Sequence, residues 1–214
     1  MKKHGSERNR GIEPTKNRIM DAAQMLFAKK GFDATRVQEI ADIAEVNKAM
    51  IYYYFKDKDA LLYAVVERII KGIKDAIPRY LEEEDNTIDG LETFLDFYIE
   101  YLAQNSSFVR LMAWEILSGK HIQSLAMDYF MPMFFLMREK IAKGVDSGQI
   151  RPVSPEHTIF SIVGMNVFYT IALPLIQILL GGDPLSAEML SKRKEEVKAF
   201  VMKGLLPFED RRRI

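Results

Sequence analysis

Apolar residues recur in this chain at intervals of three and four almost from end to end, and nowhere do they alternate over the length of a strand. That period belongs to helices, so the chain is read as all-α. Ile19, Ala22, Ala23, Leu26 and Phe27 form one stripe, predicting a first helix from about Pro14 to Lys30 with Gly31 as its stop. Asp57 has the place of an N-cap for a helix through Leu61, Leu62, Val65, Val66, Ile69, Ile70 and Ile73 that ends near Pro78. After an acidic loop at Leu81–Thr87, helices are expected at about Gly90–Asn105 and Ser107–Ser118. A long helix over Ile122–Asp146 should kink at Pro132, whose nitrogen has no hydrogen to donate. The run Asp146–Pro152 reads as a turn, Ser154-Pro155 as a helix start, and Ser186–Leu206 as the last helix.

Composition narrows the function classes. With 214 residues, 48% of them hydrophobic, the chain can bury a sizeable core. It has no cysteine, which removes disulfides, thiolate metal sites and cysteine nucleophiles. His4, His121 and His157 are scattered without metal-ligand spacing, and there is no glycine-rich phosphate loop or nucleophile elbow. No enzyme, metal or cofactor is therefore expected. The polar N-terminus is no secretory signal, and a cytoplasmic protein is expected. Residues 1–60 hold twelve Lys/Arg against nine Asp/Glu, and the remainder eighteen against twenty-one. A basic front on an acidic rear suits a nucleic-acid reader joined to something else.

One stretch, Thr158–Gly182, has no charged residue and is long enough to span a bilayer. Ser161, Asn166, Thr170, Pro174 and Gln177 dilute it, and its flanks lack aromatic and basic anchors. A helix buried in a core or a subunit interface is the favoured reading, without a membrane.

The most informative stretch is Thr35–Phe55, TRVQEIADIAEVNKAMIYYYF. Thr35 and Gln38 have capping-box spacing, so a helix is expected to start at Arg36 and to bury Val37, Ile40, Ala41 and Ala44. Glu45-Val46-Asn47 interrupts it, and Asn47 is a good N-cap for a second short helix. In that helix Ile51, Tyr54 and Phe55 fall on one side, and Lys48, Ala49, Tyr52, Tyr53 and Lys56 on the other. Two short helices crossing steeply around a small Ala41 fit a helix-turn-helix whose second member would present a cation and phenols to a major groove, with a plain surface hairpin as the alternative.

From Gly31 to Leu62 the sequence resembles the signature of the TetR family of regulators: Gly31-Phe32 after the first helix, Thr35, Ile40-Ala41, then Tyr52-x-Tyr54-Phe55-x-x-Lys58 and Leu61-Leu62. With the first helix the match covers about residues 13–70. The resemblance implies a basic tail (1–12), a three-helix DNA-binding domain (13–59), and a helical-bundle domain (60–214) that binds an effector and dimerises. Thr35 and Arg36 would hold the DNA backbone, Asn47, Lys48, Ala49, Met50, Tyr52 and Tyr53 would form the recognition surface, and Lys58 would touch phosphate. The expected function is sequence-specific binding of a palindromic operator by a homodimeric, ligand-responsive repressor. A helical membrane-associated or structural bundle without DNA binding is the alternative. Glu45 departs from the family, which often has glycine there, as do Ala49 and Met50, where glycine and a hydroxyl residue are common. The tail, with Lys2, Lys3, Arg8 and Arg10, is read as disordered and solvated, with a minor-groove arm as the alternative.

Aromatic and methionine side chains crowd the middle of the chain. Trp114, Met127, Met131, Phe134, Asn166 and Tyr169 are taken as candidate contacts for a small apolar or amphipathic effector, with His121, Arg110 and Glu115 as further polar candidates. Arg110 and Trp114, four apart, have the spacing of a cation–π pair. The Thr158–Leu180 and Ser186–Leu206 helices are the expected dimer seam.

Overall fold

A computed structural model describes residues 5–81 and 87–207, with side chains described over 13–76 and 87–207. Every regular element among them is helical: α1 (Gly5–Lys30), α2 (Val37–Ile43), α3 (Lys48–Tyr54), α4 (Lys58–Leu81), α5 (Thr87–Gln104), α6 (Ser106–Ser118), α7 (Ile122–Leu125), α8 (Met131–Asp146), α9 (Pro155–Ile171), α10 (Leu173–Leu180) and α11 (Ala187–Leu205).

The chain divides into two compact units. The first joins residues up to Ile69 to Ser107–Gln123. Its core is Ile19, Ala23 and Phe27 of α1, Ile40 and Ala41 of α2, Ile51 of α3, Leu61, Leu62 and Val65 of α4, and Leu111 of α6. α6 therefore completes the unit that carries the helix-turn-helix, although sequence order had placed it in a C-terminal domain beginning at residue 60. The reason is apolar area. α6 buries Phe108, Val109, Leu111 and Met112, and its Ser107 and Trp114 meet Gln24 of α1 and Gly31 at its end.

In the second unit α5 is central, packing against α8, α9 and α11. Leu91, Phe94, Leu95, Tyr98, Ile99 and Leu102 are all buried, and Phe94 stacks on Tyr98 one turn away with ring centroids 5.7 Å apart. Arg151 ties the turn before α9 to the end of α11, its backbone N–H donating to Leu205 O at 2.8 Å and its Nε–H to Gly204 O.

Several boundaries differ from the sequence reading, each for a local reason. α1 begins at Gly5, so the tail expected to be disordered over 1–12 is helical from there; residues 1–4 lie outside the described part. Pro14 removes one hydrogen bond inside α1 without ending it. The acidic segment contributes the last residue of α4, which passes Pro78 to Leu81, and the first residue of α5; residues 82–86 are not described. The helix expected over 122–146 is one continuous helical run whose irregularity lies just before Pro132. α7 leads into a widened π-type turn at Ala126–Phe130, where the Met131 N–H reaches back to Ala126 O, and α8 starts with Pro132 in its first turn. A proline ring at 132 clashes with the carbonyl four residues back, and the extra residue in the turn moves that carbonyl aside. The uncharged run likewise breaks at Ala172, where Pro174 cannot bond to Thr170, and α9 and α10 meet at 74°. No single helix among the described residues is long and apolar enough to cross a membrane.

The turn between α2 and α3 repeats a familiar helix ending. Glu45 donates to Asp42 O and Val46 to Ala41 O, the paired bonds that close a helix whose next residue is left-handed. Glu45 is that residue, with φ +53°, the one non-glycine at positive φ among the described residues. A side chain there is disfavoured by about 1–2 kcal/mol. Glu45→Gly is expected to relieve this, less the entropy a glycine loses on folding, leaving a gain of about 0.5–1 kcal/mol. Thermal unfolding should show it as a rise of about 1–4 °C.

Candidate functional site

The helix-turn-helix is built by caps that consume their own polar groups. Thr35 is 1% exposed, and its hydroxyl donates to Gly31 O at 2.8 Å, closing the end of α1. With Thr35 spent there, the cap of α2 moves one residue along. Arg36 is the N-cap, and its backbone N–H donates to Glu39 Oε2 at 2.8 Å, so the box is Arg36/Glu39 and not the expected Thr35/Gln38. Gln38 instead donates to Asp42 Oδ1. Asn47 caps α3 as expected, its Oδ1 accepting from Met50 N at 2.8 Å, and Asp57 Oδ1 accepts from Ala60 N at 2.7 Å at the start of α4.

Inward-facing Ile51, 1% exposed, seats α3 on α2. Its outer face is then open. Asn47, Lys48 and Ala49 are exposed, Met50 is half-buried, Tyr52 is 47% exposed and Tyr53 73%. Lys48 Nζ lies over the Tyr52 ring, 5.9 Å from its centroid, and Tyr53 meets Tyr54 edge-on. Arg36 is exposed at the head of α2. These seven residues of the expected contact set thus share the open side of the α2–α3 pair with no structural duty for their side-chain ends except Asn47.

Two members of that set have other work. Thr35 is buried. Lys58 donates from Nζ to Phe32 O at 2.6 Å and to Thr35 O at 2.8 Å, and its ammonium sits 4.2 Å from the Phe32 ring centroid. Partial burial lowers its pKa, opposed by the carboxylate of Asp33. Sequence reasoning had assigned it to phosphate. Its geometry makes it the clamp of the loop between α1 and α2.

A second clamp escaped the sequence reading. His121, just past α6, has Glu115 Oε2 at 2.7 Å from Nδ1 and Asp59 Oδ1 at 2.8 Å from Nε2, and its ring meets Phe32 edge-on at 4.7 Å. Lys120 pairs with Asp33 at 2.7 Å and also faces the Phe32 ring. His121 and Glu115 had been considered as effector contacts; they bind the loop and the head of α4 instead. Nothing in the local sequence marks them, because their partners lie 6, 62 and 87 residues away.

The six candidate effector contacts are divided between the units, Trp114 in the first and the other five in the second. Trp114 belongs to the first unit, where its indole covers Gly31, within 3.5 Å of where a β-carbon would stand, rather than pairing with Arg110. Met127 is 62% exposed, Met131 and Phe134 are half-buried, and Phe134 packs on Phe160 of α9 at 5.7 Å. Asn166 and Tyr169 do meet, in a narrow cleft of the second unit bounded by α5, α9 and α11. Asn166 is buried and donates to Ile162 O, and Tyr169 lies under the guanidinium of Arg193.

Comparison with known proteins agrees with this geometry. Residues 19–65 match the model for bacterial regulatory proteins of the tetR family, and residues 88–201 the model for a tetracyclin repressor-like C-terminal domain. The HTH-type transcriptional regulator RutR of Escherichia coli K12 is 28% identical over 205 residues, covering 94% of this chain and 95% of that one. The HTH-type transcriptional repressor NicS of Pseudomonas putida is 32% identical over 108 residues, half of each chain. Among solved structures, HlyIIR, a hemolysin II transcriptional regulator, superposes with a TM-score of 0.69 at 26% identity, over 92% of this chain and 99% of that one.

If Lys58 is the loop's clamp, Lys58→Ala leaves two carbonyls without their charged donor and should cost about 1–3 kcal/mol. Denaturant unfolding checks this. Unchanged stability with a salt slope of DNA binding smaller by about one would instead mark a phosphate contact.

Proposed function

This chain belongs to the TetR family of bacterial regulatory proteins, and we propose that it represses transcription as a homodimer on a palindromic operator, released by a small amphipathic effector. The observation that carries the DNA reading is the outer face of α3. Its cation and two phenols are exposed while every inward residue of the helix-turn-helix is committed to packing or capping. Arg36, Asn47, Lys48, Ala49, Met50, Tyr52 and Tyr53 are the proposed contact surface, with α3 in the major groove. Thr35 and Lys58 fix the backbone that presents Arg36. DNA affinity should fall steeply with salt as counterions are released. Tyr52→Ala and Lys48→Ala should also blur sequence preference, each by about 1–3 kcal/mol of discrimination, read from a random-site selection on variant and parent. A protein with no salt-dependent affinity for any duplex would refute the reading.

The dimer reading rests on unpartnered apolar surface in the second unit. Phe160, Phe168 and Ile171 form a stripe along α9, 65%, 66% and 39% exposed, with Gly164 at its centre and open space where its β-carbon would be. Ile178, Leu179 and Leu180 of α10 and Phe200 of α11 are exposed by two-thirds or more. So much apolar surface is what an interface between subunits requires. Val167 stands one position off the stripe and is half-buried, so Phe168→Asp is a sharper test than a change at Val167. Light scattering should find the parent dimeric at micromolar concentration and Phe168→Asp monomeric, with operator binding lost. A monomeric parent would overturn the proposal.

Release follows from linkage. An effector that binds better to a dimer with wrongly spaced readers shifts the population toward it. The chain passes between the units along α4 and at the start of α6, and α6 leads into His121 and Lys120, which hold the Phe32 loop. A coupling of about 1–3 kcal/mol is enough for a roughly 5–150-fold change in operator affinity.

A further inference from the structure

On α11 Lys194 and Lys198, one turn apart, have carboxylate partners on α5, Lys194 with Glu100 and Lys198 with Asp96. Arg193 is different. Its Nη2 donates to Met165 O of α9 at 3.0 Å and its plane lies over the Tyr169 ring, 4.6 Å from the centroid. Its Nε–H is fully shielded from solvent and meets no acceptor, the one buried side-chain polar atom so placed among the described residues. Burial lowers its pKa, and the only opposing influence is the phenol of Tyr169. A guanidinium stays charged at any physiological pH, so it cannot escape the cost of burial by neutralising.

Arg193 lines the cleft that Asn166 and Tyr169 share, against an apolar wall of Ile99, Leu102 and Leu190. The wall takes a hydrocarbon and the cation takes an oxygen anion. We propose that this cleft binds a small organic acid, its carboxylate accepting from Arg193 Nε–H and its apolar end lying on Ile99, Leu102 and Leu190. The inference rests on the effector reading above and gives that effector a chemical class, an amphipathic monoanion. A charge-assisted bond to the orphan N–H supplies the selectivity for acid over neutral analogue.

The free space in the cleft is about that of one water molecule, so a ligand enters only as the wall moves. One side is closed by a loop and not by a helix. Leu185 and Pro184 belong to the segment between α10 and α11, which starts with Gly181 and Gly182 at φ +71° and +73°. It is held to Tyr169 by a single long bond, Tyr169 OH to Pro184 O at 3.5 Å. Displacing it moves the end of α10, which carries Ile178, Leu179 and Leu180 of the proposed dimer face, so occupancy of the cleft reaches the subunit seam without crossing the core.

The test is a panel of straight-chain monocarboxylates from acetate to decanoate, with the primary alcohol of each length as control, titrated into the full-length protein by calorimetry and thermal shift. An acid of intermediate length should raise the melting temperature, and its alcohol should bind at least tenfold more weakly. Arg193→Gln should lose that difference while keeping operator affinity in the absence of ligand. On the parent protein the Arg193 Nε–H proton signal should move downfield on titration with the acid, a readout independent of whether the variant folds. Alcohols binding as well as acids, or no acid binding at millimolar concentration, would overturn the proposal and leave the cleft to a buried water. Neutral compounds that release operator while no acid binds would overturn it too, yet leave the effector reading intact. An acid that moves the Arg193 signal without changing operator affinity would uphold the site and sink the switch.

Discussion

The ammonium of Lys58 reaching back to the carbonyls of Phe32 and Thr35 is the interaction on which the DNA-facing half of this protein depends. It fastens the head of α4 to the loop before α2. The angle at which α2 leaves that loop sets where α3 lies. Around it the Phe32 ring is enclosed by Lys58, Lys120 and His121, each brought by a different segment. Cations over an aromatic face and charge-assisted bonds to carbonyls are directional and short-ranged. The loop therefore has one favourable placement, and the recognition helix inherits it.

Because the caps and clamps use inward or loop-directed groups, the exposed side chains of α3 are left free of structural duty. Changes at Tyr52, Tyr53 and Lys48 remove no packing or capping contact of the fold, whereas changes at Thr35, Lys58 and Ile51 do. That separation explains why a residue at a contact position by sequence, such as Thr35, can lie buried in the structure.

The second unit follows another logic. α5 gathers α8, α9 and α11 around one buried face, and the apolar surface left over lies on α9, α10 and the outside of α11. An uncharged stretch that suggests a membrane on composition alone is thus divided. Ile159 and Ile162 enter the core while Phe160 and Phe168 face outward. The same helices frame the cleft of Arg193, so the groups suited to a ligand and those suited to a partner subunit lie on opposite sides of one pair of helices.

The sequence by itself determined what depends on residues within one helical turn of each other. The helical class, the helix-turn-helix with Asn47 and Asp57 as caps, and the start of α9 at Ser154 all rest on such spacing. Tertiary structure decided what depends on which faces meet. It moved the cap of α2 from Thr35 to Arg36 because the Thr35 hydroxyl closes α1, and it assigned α6 to the first unit because that core needed covering. It set Trp114 against Gly31 and Phe134 against Phe160, contacts that spacing within one helix does not show. The unpaired Nε of Arg193 is the clearest case. A charged residue on a helix reads as solvent-facing until the helices packed on either side show that its partner is missing.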